Sequence, residues 1–328
     1  MSASQASAIS LRPIATIDVG TNTTLLLVAR ARPGVPIGEP EVLADAAEIT
    51  RLGRGIGQDG RLGREGIDKT QAALERYARI AQKHGATIAA IGTEALRRAP
   101  NADAFLDPAA RVLGTPVEVI TGDREAALTF RAIAESFPAE VANGRIAVVD
   151  IGGGSTEIIV ADRGSVVFRR SLPLGSVRLH ERHVRSDPPS AAEARAVEAD
   201  VQARLDEAPG AFEGPPLTTL IGVAGTVTSL AAMSMRLETY DAARVHGGML
   251  TLAQLDTQIE RLASATQGER ERIAGLDPRR ADVIFAGALL LRAIARRAGV
   301  EAVRVSDRGI RWGLFYERAS SVSSVSGT

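Results

Sequence analysis

The stretch VVDIGGGSTEIIVAD at residues 148–162 decides the fold, because a similar stretch, TIDVGTNTTLLLVAR, occupies residues 16–30. Aligning the two stretches places Asp18 on Asp150, and the glycines two positions later also coincide. Each stretch is an apolar run, an Asp, a turn of small residues and a second apolar run, which is the pattern of a β-hairpin. The sequence therefore predicts the same hairpin in both halves of the chain.

Length and composition are those of an ordinary globular protein with room for two domains. The chain has 328 residues, of which 45% are hydrophobic and 24% are charged. Single hydrophobic cores stop growing below this length. There is no cysteine, which excludes disulfides, thiol catalysis and cysteine-ligated metals.

Overall charge gives no reason to expect a polyanion or a membrane as partner. The formal net charge at pH 7 is +0, so affinity for an anion must come from a local site. No signal peptide and no apolar run long enough to cross a bilayer is visible. We therefore expect a cytoplasmic protein that binds neither nucleic acid nor membrane.

The periodicity of apolar residues predicts strands and helices in alternation, in the same order in both halves. Helices are predicted at 64–85, 188–207 and 277–298, the last strand at 301–307, and a closing helix after it. Asp123 is the predicted N-cap of a helix that follows the strand PVEVIT. The pattern indicates α/β architecture with two similar domains.

The turns of the two hairpins are candidates for phosphate binding. GTNTT (20–24) and GGGSTE (152–157) let backbone N–H groups approach an anion closely and add hydroxyl donors. Asp18 and Asp150, each at the end of an apolar strand, suit a hydrated Mg²⁺, which prefers oxygen ligands. The alternatives are tight turns without a ligand, and Asp side chains that cap their own turns.

The pair of hairpins resembles the phosphate-binding hairpins of the superfamily that contains actin, sugar kinases and chaperone ATPases. Within it, AVVDIGGGSTEIIV, GTEALRRAPNA and EVITGDREAALTFRAI are similar to motifs of the exopolyphosphatase and guanosine pentaphosphate phosphohydrolase (Ppx/GppA) family. RLGRGIGQDGRLGREGIDKT, SLPLGSVRL, GVAGTVTSLA and VSDRGIRWGLFYE extend the resemblance over nearly the whole chain. It implies two ribonuclease H-like (actin-like) domains with a phosphate-binding cleft between them.

The resemblance also implies domain limits. The N-terminal domain is expected at 12–124 and the C-terminal domain at 125–308. The closing helix, 309–320, is a candidate to complete the first domain. Tails at 1–11 and 319–328 are expected to be disordered.

By the same resemblance, Glu125 in ITGDREA matches the catalytic carboxylate of the family and would activate a water for attack on a terminal phosphorus. Arg97 would hold the terminal phosphate. Without the resemblance, the dipole at a helix N-terminus is the better explanation of Glu125, and Arg97 could be an ordinary solvated arginine on a helix. Likewise, Glu157 is either a ligand of the metal or an outward strand residue. Gly225 and Thr226 either line the phosphate chain or form a packed turn.

The resulting candidate residues fall into two groups. The phosphate-binding group is Gly20, Thr21, Asn22, Thr23, Arg97, Gly152, Gly153, Gly154, Ser155, Thr156, Gly225 and Thr226. The ligands of Mg²⁺ are Asp18, Asp150 and Glu157.

Four positions depart from the family pattern. Leu25 replaces a basic residue of the first hairpin, which removes one cationic contact to phosphate. Arg124 replaces a Glu beside Glu125, and the added cation would lower the pKa of the base or help to bind the substrate. Arg308 replaces a Gly and Trp312 a Glu; they would supply positive charge and pack the closing helix.

Three classes of function remain open. The resemblance favours Mg²⁺-dependent release of orthophosphate from the end of inorganic polyphosphate, with hydrolysis of guanosine pentaphosphate (pppGpp) to ppGpp as the alternative. A small-molecule kinase and a non-catalytic polyphosphate or nucleotide sensor belong to other classes. Members of the family are often dimers, and a homodimer is expected on that ground alone.

Overall fold

The computed structural model describes residues 11–56 and 60–320. Most of the two predicted tails therefore lies outside the described residues. Residues 319 and 320, which the prediction placed in the second tail, are the last two residues of a helix.

Eleven strands of the described residues form two sheets. The first sheet consists of β1 (Ile14–Val19), β2 (Thr23–Arg30), β3 (Glu41–Ile49), β4 (Thr87–Gly92) and β5 (Val117–Val119). The second consists of β6 (Arg145–Ile151), β7 (Thr156–Asp162), β8 (Ser165–Leu172), β9 (Thr219–Val223), β10 (Met249–Thr251) and β11 (Ala302–Val305).

The two sheets share a topology, which confirms the predicted duplication. The order in the first sheet is β3-β2-β1-β4-β5, and in the second it is β8-β7-β6-β9-β11-β10. Both begin with an antiparallel hairpin, β1 with β2 and β6 with β7, whose first strand pairs in parallel with a later strand, β4 or β9. The mixed α/β architecture is that of the actin-like fold.

Thirteen α-helices of the described residues cover the sheets. In the first half these are α1 (Arg64–Lys83), α2 (Glu94–Arg98), α3 (Asp103–Leu113), α4 (Gly122–Ser136) and α5 (Pro138–Asn143). In the second half they are α6 (Ser176–His183), α7 (Ala191–Asp206), α8 (Ala224–Ser234), α9 (Ala242–Val245), α10 (Leu252–Ser264), α11 (Gln267–Arg270), α12 (Ile284–Arg297) and α13 (Ile310–Ser320).

Two local predictions were wrong. The N-cap of α4 is Thr121, whose hydroxyl accepts the Arg124 N–H at 3.2 Å, whereas Asp123 lies inside the first turn. The helix predicted at 277–298 begins at Ile284, and a short 3₁₀ turn at Pro278–Arg280 precedes it. An Asp three residues before an apolar run fits either cap position, so sequence alone does not distinguish them.

Helices α4 and α13 connect the two sheets. On one side of α4, Ala126 and Ile133 pack on the second sheet. On its other side, Ala132 packs with Phe315 of α13 and with apolar residues of β1 and β2, and Leu128 packs with Leu314. The closing helix thus rests on the first sheet. The domain limits 12–124 and 125–308 stay predictions.

Candidate active site

The two hairpin turns have the same backbone geometry. In the first, the Gly20 N–H donates to the Thr23 carbonyl at 3.0 Å; in the second, the Gly152 N–H donates to the Ser155 carbonyl, also at 3.0 Å. A bond across three residues closes each turn and leaves the intervening N–H groups at the tip.

Glycines allow the two turns to approach one another. A Cβ on Gly153 would lie 3.1 Å from the Asn22 Cβ, and one on Gly154 would lie 2.9 Å from the Thr21 Oγ1. Such separations are shorter than ordinary carbon contacts, so a side chain at either position would push the turns apart. The glycine run therefore fits the second turn against the first.

A cavity of about 710 Å³ lies between the two hairpins. Its lining contains nearly all of the predicted site residues: Asp18, Gly20, Thr21, Asn22, Thr23, Glu125, Asp150, Gly152, Gly153, Gly154, Ser155, Glu157, Gly225 and Thr226. The cavity is a cleft of the size that small-molecule sites have, with the predicted phosphate-binding backbone on opposite walls.

Three buried carboxyl residues, Asp18, Glu125 and Glu157, and the partly buried Asp150 line this cleft. Burial, with the nearby Glu125 and Asp150 and against the opposing effect of Arg311, raises the pKa of Asp18 to about 8. Burial likewise raises the pKa of Glu125 to about 7 and that of Asp150 to about 6. The pKa of Glu157 is raised by burial and by Glu125 and Asp150. The four carboxyl groups therefore favour either protonation or the binding of a cation in the cleft.

Glu125 and Arg97 form an ion pair at the edge of the cleft. The Arg97 Nη1 lies 2.5 Å from the Glu125 Oε1, and it also donates to the Ile120 carbonyl at 2.5 Å. The guanidinium lowers the pKa of Glu125 and opposes the larger effect of burial. Arg97 itself is not part of the cavity lining, so it reaches the cleft through Glu125.

Neighbouring hydroxyls hold two of the carboxylates in place. Thr129, one turn after Glu125 on α4, donates to the Asp150 Oδ2 at 2.9 Å. Ser171 on β8 donates to the Glu157 Oε1 at 2.7 Å. Sequence analysis did not identify either residue, since a hydroxyl on a helix or an edge strand has no distinctive pattern.

Thr156 is not brought to the cleft. Its side chain is fully buried and its hydroxyl donates to the Leu174 carbonyl at 2.6 Å. The strand continues the hairpin there, and alternation along it directs Glu157 to the cleft instead. Thr156 therefore supports the turn.

A partly buried cation of the cleft, Arg280, was not predicted from the sequence. Arg280 lines the cavity, and its Nη2 donates to the Thr23 Oγ1 at 3.0 Å across the cleft. A Cβ on Gly225 would overlap its guanidinium, so glycine there admits the arginine. The run PRRAD, which precedes an apolar helix, could have indicated a basic residue at the cleft, but it does not show whether Arg279 or Arg280 points inward.

Of the four departures from the family pattern, two concern the cleft. Leu25 lies opposite Asp18 in β2, at the position that Glu157 occupies opposite Asp150 in β7. Arg124 binds Glu317 of α13 at 2.5 Å. It is not among the groups that shift the pKa of Glu125, so the expectation that Arg124 acts on the base is not supported; Arg97 has that effect.

The other two departures stabilise the closing helix. The Arg308 guanidinium lies 4.4 Å from the centre of the Trp312 ring, and it donates to the Gly38 carbonyl at 2.6 Å. Trp312 is buried with Phe315 and residues of β1 and β2. The packing role expected of Trp312 agrees with this contact, and Arg308 joins the helix to the first half.

The acidic residues suit a hydrated divalent cation. The Asp18 Oδ1 is buried and has no hydrogen-bond partner among the residues that the structure describes. Within the same residues, no three metal-type side chains form a ready-made cage. Mg²⁺ usually keeps several waters and takes one or two carboxylates together with substrate phosphates, so the donor set fits that ion.

None of the helices at 11–56 and 60–320 is long and apolar enough to cross a membrane.

The fold is that of an actin-like protein, with a cleft between its two hairpins. The Ppx/GppA phosphatase family matches residues 27–322, and the chain belongs to this family. It is 36% identical over 315 residues to Exopolyphosphatase 2 of Mycobacterium tuberculosis, which covers 93% of this chain and 98% of that protein.

Two further similarities agree with this assignment. The crystal structure of the Aquifex aeolicus member of the Ppx/GppA family has a TM-score of 0.77 and 31% identity, over 94% of this chain and 97% of that one. The guanosine-5'-triphosphate,3'-diphosphate pyrophosphatase of Vibrio campbellii is 30% identical over 92% of this chain and 58% of that protein.

Proposed function

We propose that this protein is an exopolyphosphatase, which hydrolyses the terminal phosphoanhydride bond of inorganic polyphosphate and releases orthophosphate. The observation that supports this most is the cleft itself: two facing turns of N–H and hydroxyl donors with a buried, arginine-bound Glu125 at their edge. Family membership and the name of the Mycobacterium relative point in the same direction.

Glu125 is the general base of the proposed reaction. A pKa of about 7 lets the carboxylate take a proton from water near neutral pH without being too weak a base. The water oxygen forms a bond to the terminal phosphorus, and the bond from that phosphorus to the bridging oxygen breaks. The electron pair leaves with the shortened polyphosphate, and Arg97 holds the base in position through its ion pair with Glu125.

The two turns bind the phosphoryl groups through their backbone. Thr21, Asn22 and Thr23 provide donors from one wall, and Gly153, Gly154 and Ser155 provide them from the other, while the Gly20 and Gly152 N–H groups close the turns. Arg280 adds a partly buried cation beside Thr23. It supplies the cationic contact to phosphate that a basic residue at the position of Leu25 would otherwise make.

A bound Mg²⁺ would be held by Asp18 and Asp150, with Glu157 close to its water shell, and would neutralise the charge of the phosphates. These residues hold oxygen atoms in a buried place where, without a cation, their pKa values are raised. The cation therefore accounts for a cluster of like charges beside an anionic substrate.

Hydrolysis of pppGpp is the second candidate, and one feature of the cleft favours it. Beyond the hairpins, the cavity extends between Leu237, Tyr240 and Leu276, with Glu238 and Asp277 beside them. Apolar and acidic walls suit a nucleoside better than further phosphate. The terminal phosphoryl group would occupy the same place in both reactions.

Orthophosphate release tests the proposal directly. Purified protein with Mg²⁺ is given tripolyphosphate, long-chain polyphosphate, pppGpp and ATP separately. We expect release from polyphosphate, and a decrease of about 100-fold or more for Glu125→Gln, because removal of a general base has an effect of that order. Glu260→Gln on the exposed surface of α10 is the matched control and should retain full activity.

Other outcomes discriminate among the alternatives. Release from pppGpp alone would select the second candidate. Absence of release from every substrate, with polyphosphate bound equally by the wild type and by Glu125→Gln, would refute the hydrolase and favour a sensor. Phosphate transfer from ATP to an added hydroxyl compound would indicate a kinase.

A further inference from the structure

A second, smaller cavity lies on the other side of Asn22 from the main cleft. Its volume is about 120 Å³, and it is bounded by Asn22 together with Arg51, Arg54, His180 and Arg185. We call it the Arg51 pocket. A water occupies about 30 Å³ of liquid, so the space accepts a phosphoryl group with part of its hydration shell.

The charge of the Arg51 pocket is positive after its own ion pairs are counted. The Arg51 Nη2 binds the Asp282 Oδ2 at 3.0 Å, and the Glu181 Oε1 accepts the Gly55 N–H at 2.9 Å. Arg54 and Arg185 are exposed, and neither guanidinium has a hydrogen bond or ion pair to any residue that the structure describes. The guanidinium groups of Arg54 and Arg185 outnumber the one carboxylate without an ion pair, that of Glu181, so the pocket favours an anion.

Unsatisfied polar atoms lie next to these arginines. Asn22 is buried, with 7% of its surface exposed, and its Nδ2 has no partner within the described part of the chain. The Nδ1 atom of the partly buried His180 also lacks a partner in that part of the chain. Buried polar atoms normally have partners, so orphaned ones at a cavity are explained by a ligand that forms hydrogen bonds with them.

The backbone of Arg51 is fixed in an unusual conformation against the first hairpin. Its φ is +55°, in the left-handed region that residues other than glycine rarely adopt. The N–H groups of Thr50 and Arg51 both donate to the Asn22 carbonyl, at 3.1 Å and 3.0 Å. The strained turn holds the arginine directly behind the phosphate-binding turn.

Contacts between arginines and the hairpin link the Arg51 pocket to the main cleft. The Arg51 Nη2 donates to the Arg279 carbonyl at 2.8 Å, and the next residue, Arg280, donates to Thr23 in the main cleft. The acidic residues Glu238, Asp277 and Asp307 also line the main cleft, and two of them are paired, Asp277 with Arg279 and Asp307 with Arg311. Phosphoryl groups beyond the first few are therefore attracted toward the excess positive charge at Arg51.

We propose that the Arg51 pocket is a second phosphoryl-binding site, which holds a more distal part of the same polyphosphate chain whose end lies in the main cleft. This inference rests on the proposed exopolyphosphatase function and assigns it a preference for chains long enough to reach both cavities. Arg51 and Arg54 of the motif RLGRG line the pocket, and neither residue takes part in the proposed reaction.

The test removes the two unpaired cations. The variant Arg54→Gln/Arg185→Gln is compared with Arg195→Gln/Arg272→Gln, which removes the same charge from exposed positions outside both cavities. The measurements are kcat/KM for tripolyphosphate and for long-chain polyphosphate. We expect kcat/KM for the long chain to fall about tenfold, a modest loss because both arginines are exposed, and that for tripolyphosphate to stay within about twofold.

A binding measurement distinguishes a failure of this inference from a failure of the proposed function. The Kd for long-chain polyphosphate is measured on the Glu125→Gln background with and without the Arg54→Gln/Arg185→Gln changes, so the result does not depend on turnover. A Kd about tenfold higher supports the pocket even if the wild type releases no phosphate. In that case the hydrolase proposal alone fails.

Three results would overturn the inference. One is an equal loss for tripolyphosphate and for long chains, and another is no loss beyond that of the control. The third is a changed inhibition by orthophosphate with an unchanged dependence on chain length, which would assign the pocket to free phosphate instead of the chain.

Discussion

At the scale of single residues, Thr129 links the helix of the proposed base to a proposed metal ligand. Its hydroxyl donates to the Asp150 Oδ2 at 2.9 Å from a fully buried position. Thr129→Val keeps the shape but loses this bond, which orients the carboxylate. We expect the Mg²⁺ concentration for half-maximal activity to rise about tenfold, as is usual when a partner of a ligand is removed.

Thr129→Ser is the control, since it keeps the hydroxyl and should behave like the wild type. The increase in Tm that Mg²⁺ causes is measured alongside activity. An unchanged response to Mg²⁺ in Thr129→Val, by both measurements, would contradict the positioning role.

Arg280 is the residue whose role was least visible in the sequence. Its guanidinium crosses the cleft to Thr23, whereas its neighbour Arg279 binds Asp277 at 2.8 Å on a more exposed surface. We expect Arg280→Gln to raise KM for polyphosphate about tenfold, because one charge-assisted contact inside the cleft is lost. Arg279→Gln is the paired control and should change KM little. Equal effects of the two variants would argue against a specific contact.

At the scale of secondary-structure elements, the crossing of α4 and α13 holds the closing helix to the rest of the molecule. Gly313 of α13 lies against the backbone of α4, and a Cβ there would overlap the Leu128 carbonyl. We expect Gly313→Ala to destabilise the protein by about 1–3 kcal/mol, as overpacking does. The urea midpoint gives the measurement.

Gly268→Ala in α11 is a suitable comparison, because a Cβ at Gly268 has no atom within 4 Å. Alanine favours a helix over glycine, so this change should be neutral or stabilising. If Gly313→Ala were equally harmless, the close approach of α4 and α13 would not contribute to stability.

Elements with a strong local pattern were predictable from the sequence. Repeated apolar runs predict the hairpins at Asp18 and Asp150, and the regular spacing of apolar residues predicts α1. Helix α6 was not predicted, because its segment SVRLHERH is short and mostly polar. Strand β10 was missed because its three residues owe their form to pairing with β11.

Only the part of the site that a local sequence pattern marks could be predicted from the sequence. The Asp and Gly residues of the turns follow from the repeat, whereas Glu125 needed the family resemblance. The contacts of Arg280, Thr129 and Ser171 with the site depend on tertiary packing between distant segments. Linear order does not contain that information.

At the scale of the whole molecule, the buried carboxyl groups between the two halves make stability depend on pH and on metal. Raised pKa values of about 8 for Asp18, 7 for Glu125 and 6 for Asp150 mean that the folded state binds more protons than the unfolded chain. Stability should then be greatest below about pH 4, where unfolded carboxyls titrate, and fall as pH rises to about 8, as far as these groups are concerned.

We expect the Tm of metal-free protein in a chelator to decline across that interval, and saturating Mg²⁺ to remove most of the decline. Asp18→Asn supplies the comparison, because it deletes a carboxyl whose pKa is raised to about 8 and should flatten the metal-free profile. A metal-free Tm that rises with pH in the wild type relative to Asp18→Asn would contradict the account.

The central claim is that Glu125 directs water to the terminal phosphorus of a phosphate chain held between the two hairpins. Hydrolysis of tripolyphosphate in ¹⁸O-labelled water tests it most directly, because the label marks the phosphorus that was attacked. The account predicts one ¹⁸O atom in the released orthophosphate and none in the remaining pyrophosphate. Label in the pyrophosphate, with unlabelled orthophosphate, would mean attack at the neighbouring phosphorus and would contradict it.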